Sequence, residues 1–152
     1  MNTLFVKSIR KEFTVDAPQS VAFDTFTQQM DLWWPRTHHI GKTPMTELVL
    51  EPGVDGRWYS RHEDGSEVNI GRVLEWDPYA KLKLAWQVNG NFAYDENLLT
   101  EVEVDFIVES PEKTRVILEH RDLERLGEGK AIESMDQGWG MIMDLYKQTV
   151  VR

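Results

Sequence analysis

The last part of the sequence carries one long apolar stripe at helical spacing, and this stripe limits the folds open to the chain. Its members lie three or four residues apart: Ile132, Met135, Trp139, Ile142, Tyr146 and Val150. Such spacing places them on one face of an amphipathic helix, with polar residues on the other faces. The stripe therefore predicts a long C-terminal helix that must pack against an apolar surface.

The strands predicted before this helix supply that surface. Residues 100–109 alternate between apolar and acidic, and one face carries Val102, Val104, Phe106 and Val108. Residues 114–121 repeat the pattern with Val116, Leu118 and His120 on one face. A period of two indicates an antiparallel sheet with one buried and one wet face. Turn residues bound further strands at 45–50, 56–62, 67–76 and 81–87, and a first strand is predicted over Val6–Val15.

Two short helices are expected between the first strand and the rest of the sheet. One covers residues 18–29, and the second surrounds Trp33 and Trp34 and ends before Pro35. The prediction is one α+β domain over residues 1–152, in which a curved antiparallel sheet of about six or seven strands wraps the C-terminal helix. The gap between sheet and helix is the expected pocket.

Composition excludes several kinds of function. The formal net charge is −9, which disfavours nucleic-acid backbones and anionic membrane surfaces. There is no Cys, so disulfides and thiolate chemistry are excluded, and no apolar run reaches the roughly 20 residues that cross a bilayer. We expect a cytoplasmic protein without membrane insertion. Six Trp residues are many for such a chain, and they suit the lining of a ligand cavity.

Several short strings, in order and spacing, resemble a known superfamily. They are Phe13–Pro18 with Val21–Phe23, Trp33–Pro35, Glu51–Gly53, Gly56–Tyr59, Gly71–Pro78 with Leu82 and Trp86, and Gly138–Trp139. Together they resemble the START/Bet v 1-like (SRPBCC) superfamily. Within it, they resemble the bacterial branch related to the C-terminal domain of the activator of the heat-shock-protein ATPase.

The resemblance implies the helix-grip fold but no single activity. The superfamily contains hydrophobic-ligand carriers, polyketide cyclases and aromatases, antibiotic-sequestering proteins and co-chaperone domains, so function must be argued from the site. A chaperone partner is the weakest expectation, because the chaperone activators carry an additional N-terminal domain for which 152 residues leave no room. A homodimer is left open, since edge strands need protection.

The predicted pocket is built from aromatic, apolar and Met residues of the helix and the facing strands. Its candidate lining is Trp33, Trp34, Trp86, Phe106, Leu118, His120, Met135, Trp139, Ile142, Met143 and Tyr146. His120 is the one titratable group whose strand phase points inward, as a satisfied core residue, a hydrogen-bond partner of a ligand or a general base. Gly138 and Gly140 flank Trp139, which indicates either close approach of a strand or a kink in the helix.

The remaining polar candidates stay open. His38 and His39 lie in a loop and are read as surface or pocket-rim residues, because adjacent His alone make a poor metal signature. His62 precedes a turn and is expected to be exposed. The phase of Arg57, Arg61 and Arg72 is ambiguous, since either Trp58 or Arg57 could point inward. We expect no metal and no cofactor.

The leading hypothesis is a binding protein for a small hydrophobic or aromatic molecule, such as a lipid or a polyketide-like metabolite. The first alternative is an enzyme of the cyclase, aromatase or hydrolase kind on the same scaffold, which would need inward polar groups around His120. The second is a co-chaperone or stress-response interaction protein. Whether the chain catalyses a reaction is left uncertain.

Overall fold

The computed structural model describes residues 8–126 and 129–150, and side chains in the last helix from Ile132 onward. The chain runs β1 (Ile9–Val15), α1 (Gln19–Gln28), α2 (Met30–Trp33), β2 (Met45–Leu50), β3 (Arg57–His62), β4 (Glu67–Asp77), β5 (Lys81–Trp86), β6 (Thr100–Ser110), β7 (Lys113–Arg121), a short 3-10 helix (Leu123–Leu126) and α3 (Gly129–Val150). Val6 and Lys7 of the predicted first strand lie outside the described residues.

The seven strands form one antiparallel sheet in the order β1-β7-β6-β5-β4-β3-β2. The sheet curls into a half-barrel around α3, so the predicted α+β helix-grip class is confirmed. The apolar stripe of α3 meets the inner sheet face, where Val104, Phe106 and Leu118 are almost fully buried. Val108 shares their phase but is 56% exposed, because the last four residues of β6 extend beyond the covered part of the sheet.

The two short helices fill one half of the space between sheet and α3. Phe26 of α1 lies among Phe106, Trp33 and Tyr146, with ring centroids 5.0–5.8 Å apart. The Tyr146 hydroxyl donates to the Ala22 carbonyl at 2.8 Å, which ties α3 to α1. This half of the interior is densely packed with aromatic rings. Any open space must therefore lie toward the N-terminal half of α3.

Strand β3 settles the phase that its sequence leaves ambiguous. Trp58 and Ser60 point into the core and are fully buried, whereas Arg57 and Arg61 lie on the outer face. Both guanidinium groups lie over the ring of Tyr59, at 3.9 and 5.7 Å from its centroid. The aliphatic and planar parts of the arginines bury the outward tyrosine. Neither arginine of β3 therefore places a charge in the interior.

Candidate functional site

A cavity of about 300 Å³ lies between the N-terminal half of α3, the sheet and two loops. Its walls are mainly apolar: Trp34, Ile40, Ile70, Trp86, Val88, Leu126, Met135, Trp139 and Ile142. The lining also includes the exposed residues Thr37, Phe92 and Ser134, so the cavity reaches the surface. An apolar interior with a few polar groups is the usual composition of a small-molecule site.

Three tryptophans from three different elements form the aromatic wall. The ring of Trp139 on α3 lies 5.8 Å from Trp34, which follows α2, and 6.0 Å from Trp86 at the end of β5. Each indole N–H is already used: Trp34 donates to the His38 carbonyl at 2.8 Å, Trp86 to the Val88 carbonyl at 3.1 Å and Trp139 to His120 Nδ1 at 3.1 Å. These hydrogen bonds fix the rings and leave their carbon surfaces to the cavity.

The structure divides the residues predicted to line a pocket into two groups. Five line the cavity: Trp34, Trp86, Met135, Trp139 and Ile142. Six do not line it and are packed in the core: Trp33, Phe106, Leu118, His120, Met143 and Tyr146. For Trp33, Phe106 and Tyr146, the reason is that α1 and α2 occupy the space over the C-terminal half of α3. The apolar stripe of α3 therefore lines the cavity from Met135 to Ile142 and packs in the core at Tyr146.

His120 points inward as predicted, but it lies behind the cavity wall. Its Nδ1 accepts the Trp139 indole N–H, so in the neutral ring Nε2 carries the proton and donates to Thr100 Oγ1 at 2.8 Å. Thr100 in turn donates to the Trp86 carbonyl at 3.1 Å. Burial lowers the pKa of His120 to about 3. A neutral, fully paired ring of this kind holds the Trp139 indole and, through Thr100, the backbone of Trp86.

The expectation that His62 is exposed is wrong. The side chain is buried; its Nδ1 donates to the Thr43 carbonyl at 2.8 Å, and its Nε2 accepts from Ser60 Oγ at 2.7 Å. The ring packs on the backbone of Gly41, where a Cβ would clash with it. The loop from α2 to β2 thus folds over the end of β3, which the position of His62 before a turn could not reveal.

His38 and His39 both line the cavity at its mouth and are half-buried. His39 Nδ1 accepts the Gly41 N–H at 3.1 Å, and its ring meets that of His62 at 4.9 Å in an edge-on contact. Burial and then the neighbouring His62 lower the pKa of His39. Among the side chains that the structure describes, no group of three or more His, Asp or Glu is arranged to hold a metal ion.

Sequence reasoning missed the loop parts of the lining. Val88, Asn89, Gly90 and Phe92 come from the loop after β5, where the Asn89 side chain accepts from the backbone N–H groups of residues 91 and 93. Phe92 has a positive φ of 60° and is 63% exposed. An exposed aromatic next to an Asn-Gly-Asn break is a signal that could have indicated this rim.

Gly138 lines the cavity, and this explains one of the two helix glycines. A Cβ at Gly138 would meet no atom within 4 Å, so the suggested close approach of a strand is wrong there. A Cβ at Gly140 would meet only Lys11 Nζ, at 3.8 Å. The missing side chain at 138 widens the cavity beside Trp139.

Comparisons with known proteins place these features in a family. The family model described as "Activator of Hsp90 ATPase homolog 1-like protein" matches residues 16–150. The resemblance to the START/Bet v 1-like superfamily and its activator-related branch is thereby confirmed. A search of curated proteins gave no match. No helix among the described residues is long and apolar enough to cross a membrane.

Two solved structures are similar in sequence as well as in fold. One is the anthrahydroquino-γ-pyrone synthase Txn09 complexed with SUM, with 32% identity over 92% of this chain and 97% of that chain, and a TM-score of 0.65. The other is CalC, a self-sacrificing resistance protein from Micromonospora echinospora, with 31% identity over 94% and 93% of the chains and a TM-score of 0.69. An HSP90 activator from Plasmodium falciparum shares the fold at 18% identity, with 88% and 87% covered and a TM-score of 0.60.

Proposed function

Because the chain belongs to the family of Activator of Hsp90 ATPase homolog 1-like proteins, whose fold serves several functions, we propose from its cavity that it binds a small aromatic molecule. The observation that carries the proposal is the open cavity of about 300 Å³ walled by Trp34, Trp86 and Trp139. Stacked and edge-on contacts with such rings favour planar aromatic ligands.

The size of the cavity narrows the ligand class. Its volume is at the lower end of the roughly 300–1,000 Å³ that small-molecule pockets occupy. The α1 and α2 aromatics close the space beneath the C-terminal half of α3, so a long acyl chain finds no channel there. A compact ring system fits this shape better than a lipid. Polyketide-like metabolites remain within the class.

The relatives support a small-molecule role more than a chaperone role. The synthase that shares 32% identity was solved in complex with a compound, and the resistance protein shares 31% identity. The likeness to the HSP90 activator, at 18% identity, concerns the fold alone. Binding is favoured over catalysis, because the titratable groups on the described lining are His38 and His39, while His120 is sequestered behind Trp139.

Native mass spectrometry of the protein purified from its own cells tests the proposal directly. We expect a bound small molecule that is lost on denaturation, and rebinding that quenches tryptophan emission. Substitution Gly138→Leu should fill the cavity and abolish both signals, whereas Met141→Leu, at a 43% exposed position of the same helix, should change neither. Unchanged binding by a folded Gly138→Leu protein would refute this cavity as the site.

A further inference from the structure

The indole hydrogens of the tryptophan wall are all engaged within the protein. The indole N–H groups of Trp34, Trp86 and Trp139 each have an internal acceptor. Among the described residues, the indole N–H of Trp58 is buried without a partner, but Trp58 lies in the layer behind Trp34 and Trp86 and does not line the cavity. A ligand between the three wall tryptophans therefore meets carbon surfaces, and its polar atoms must find partners at the mouth.

At the mouth, the contacts of His39 fix the tautomer of its ring. Because Nδ1 accepts the Gly41 N–H, the neutral ring carries its proton on Nε2, for which the described residues provide no acceptor. The edge-on contact with buried His62 holds the ring in place, and His62 is itself held by Ser60 and Thr43. The hydroxyl groups of Thr37 and Ser134 belong to exposed residues, where water competes, and the Thr37 hydroxyl already contacts His38 Nδ1 at 3.0 Å.

Resting on the proposed function, we infer that the ligand carries a hydrogen-bond acceptor, such as a ring carbonyl oxygen, and that His39 Nε2–H donates to it. The ring system enters between the tryptophans and the oxygen stays at the mouth. The described lining contains no Lys, Arg, Asp or Glu, so the recognised group is an uncharged acceptor. His39 is thus a specificity-determining residue for oxygenated aromatic rings over the corresponding hydrocarbons.

Two probes that differ by one carbonyl oxygen test this inference: 1-indanone and indane. Binding is followed by the indole N–H signals in two-dimensional ¹H–¹⁵N NMR spectra. Substitution His39→Asn keeps an acceptor near the position of Nδ1 for the Gly41 N–H but removes the Nε2 donor. His39→Gln keeps a donor near the position of Nε2. We expect His39→Asn to weaken 1-indanone binding about threefold to tenfold, the range for one hydrogen bond, and to change indane binding less than twofold.

The outcomes separate this inference from the proposed function. His39→Gln should restore most of the preference for 1-indanone that His39→Asn loses. If both probes bind and His39→Asn weakens them equally, or weakens neither, the inference is wrong while the aromatic site stands. If neither probe shifts an indole signal of the folded wild-type protein, the proposed function fails and the inference fails with it. Thermal unfolding of both variants checks that the loop remains folded.

Discussion

At the residue scale, the most informative side chain is His120, because its hydrogen bonds account for its burial. Burying an imidazole without partners would be costly, but both ring nitrogens are paired, with Trp139 and with Thr100. The chain of donors continues to the Trp86 carbonyl, so one buried network connects β5, β6, β7 and α3. His120 therefore acts on the cavity by positioning its walls.

Acid should destabilise the protein through this residue. The folded protein keeps His120 neutral to about pH 3, whereas the unfolded chain takes up the proton near pH 6.5. The contribution of neutral His120 to the unfolding free energy is therefore fully present above pH 6.5 and is lost as the pH falls toward 3. Between pH 6.5 and about 5, the unfolding free energy of the wild type should fall by about 2 kcal/mol more than that of His120→Gln, measured by urea titration. Equal pH dependence of the two proteins would contradict this assignment.

Gly138 is a residue at which stability and binding should oppose each other. Ala is favoured over Gly in a helix interior by about 1 kcal/mol, and a methyl group at 138 has free space. Gly138→Ala should therefore raise the melting temperature by about 2–4 °C while weakening ligand binding.

Gly140→Ala is the matched control for that substitution. Position 140 does not line the cavity, and its methyl group would meet only Lys11 Nζ at ordinary contact distance. It should give a similar rise in melting temperature with unchanged binding. Calorimetric melting and tryptophan quenching of both variants measure the two effects. A loss of binding in both would indicate that helix flexibility, rather than cavity space, matters for the ligand.

At the element scale, the short helix α2 protects an edge of the sheet. Strand β2 is the last strand in the sheet order, so its outer edge has unpaired backbone groups. Asp31 of α2 accepts the Leu48 N–H at 2.9 Å and also pairs with Arg36 at 2.6 Å. Burial opposes ionisation of Asp31, but the hydrogen bonds from Arg36 and Leu48 outweigh it and lower its pKa. The helix thus occupies one position at which another strand could add.

Asp31→Ala should expose that edge. The Leu48 N–H loses its partner, so stability should fall by about 1–2 kcal/mol and self-association should increase. Asp31→Asn keeps an acceptor oxygen for Leu48 and loses only the charge, so it should remain closer to the wild type. Urea unfolding and sedimentation velocity measure the two effects. Equal loss in both variants would show that the ion pair with Arg36 matters more than the strand contact.

At the scale of the whole molecule, the sheet separates charge from apolar surface. Its outer face carries ion pairs such as those of Arg121 with Glu101, Glu103 and Glu119, at 2.7–2.9 Å. Burial first, and then Glu103, raise the pKa of the nearby Asp105 to about 6. The inner face carries the core and the cavity. The cavity is thus apolar although the net charge is −9.

Ligand binding should stabilise the whole fold, because the cavity walls belong to the same core as the sheet and α3. A ligand at about ten times its dissociation constant adds about 1.4 kcal/mol if it binds only the folded state, which corresponds to a melting shift of about 3–6 °C. We expect this shift with 1-indanone, followed by far-ultraviolet circular dichroism. The Gly138→Leu protein should show no shift. A similar shift in that variant would mean that the probe binds elsewhere.

The sequence by itself determined the secondary structure, the sheet and the helix that it wraps. A period of two in β6 and β7 and a period of 3.6 in α3 each assign one face to the interior, so Leu118, His120 and Trp139 could be placed inward from pattern alone. Five of the eleven residues predicted to line a pocket do line the cavity. They belong to α3 as far as Ile142 or to the segments that face this part of the helix.

Only the tertiary structure decided which residues of the apolar stripe of α3 pack in the core and which line the cavity. That division depends on α1 and α2 packing over Tyr146, a contact between residues more than 100 positions apart. The inward phase of Trp58 accompanies the stacking of two arginines over Tyr59 on the outer face, and the burial of His62 depends on the loop that contains Gly41. Local periodicity assigns a face to a residue, but whether that face meets a side chain or open space depends on which distant segment packs against it.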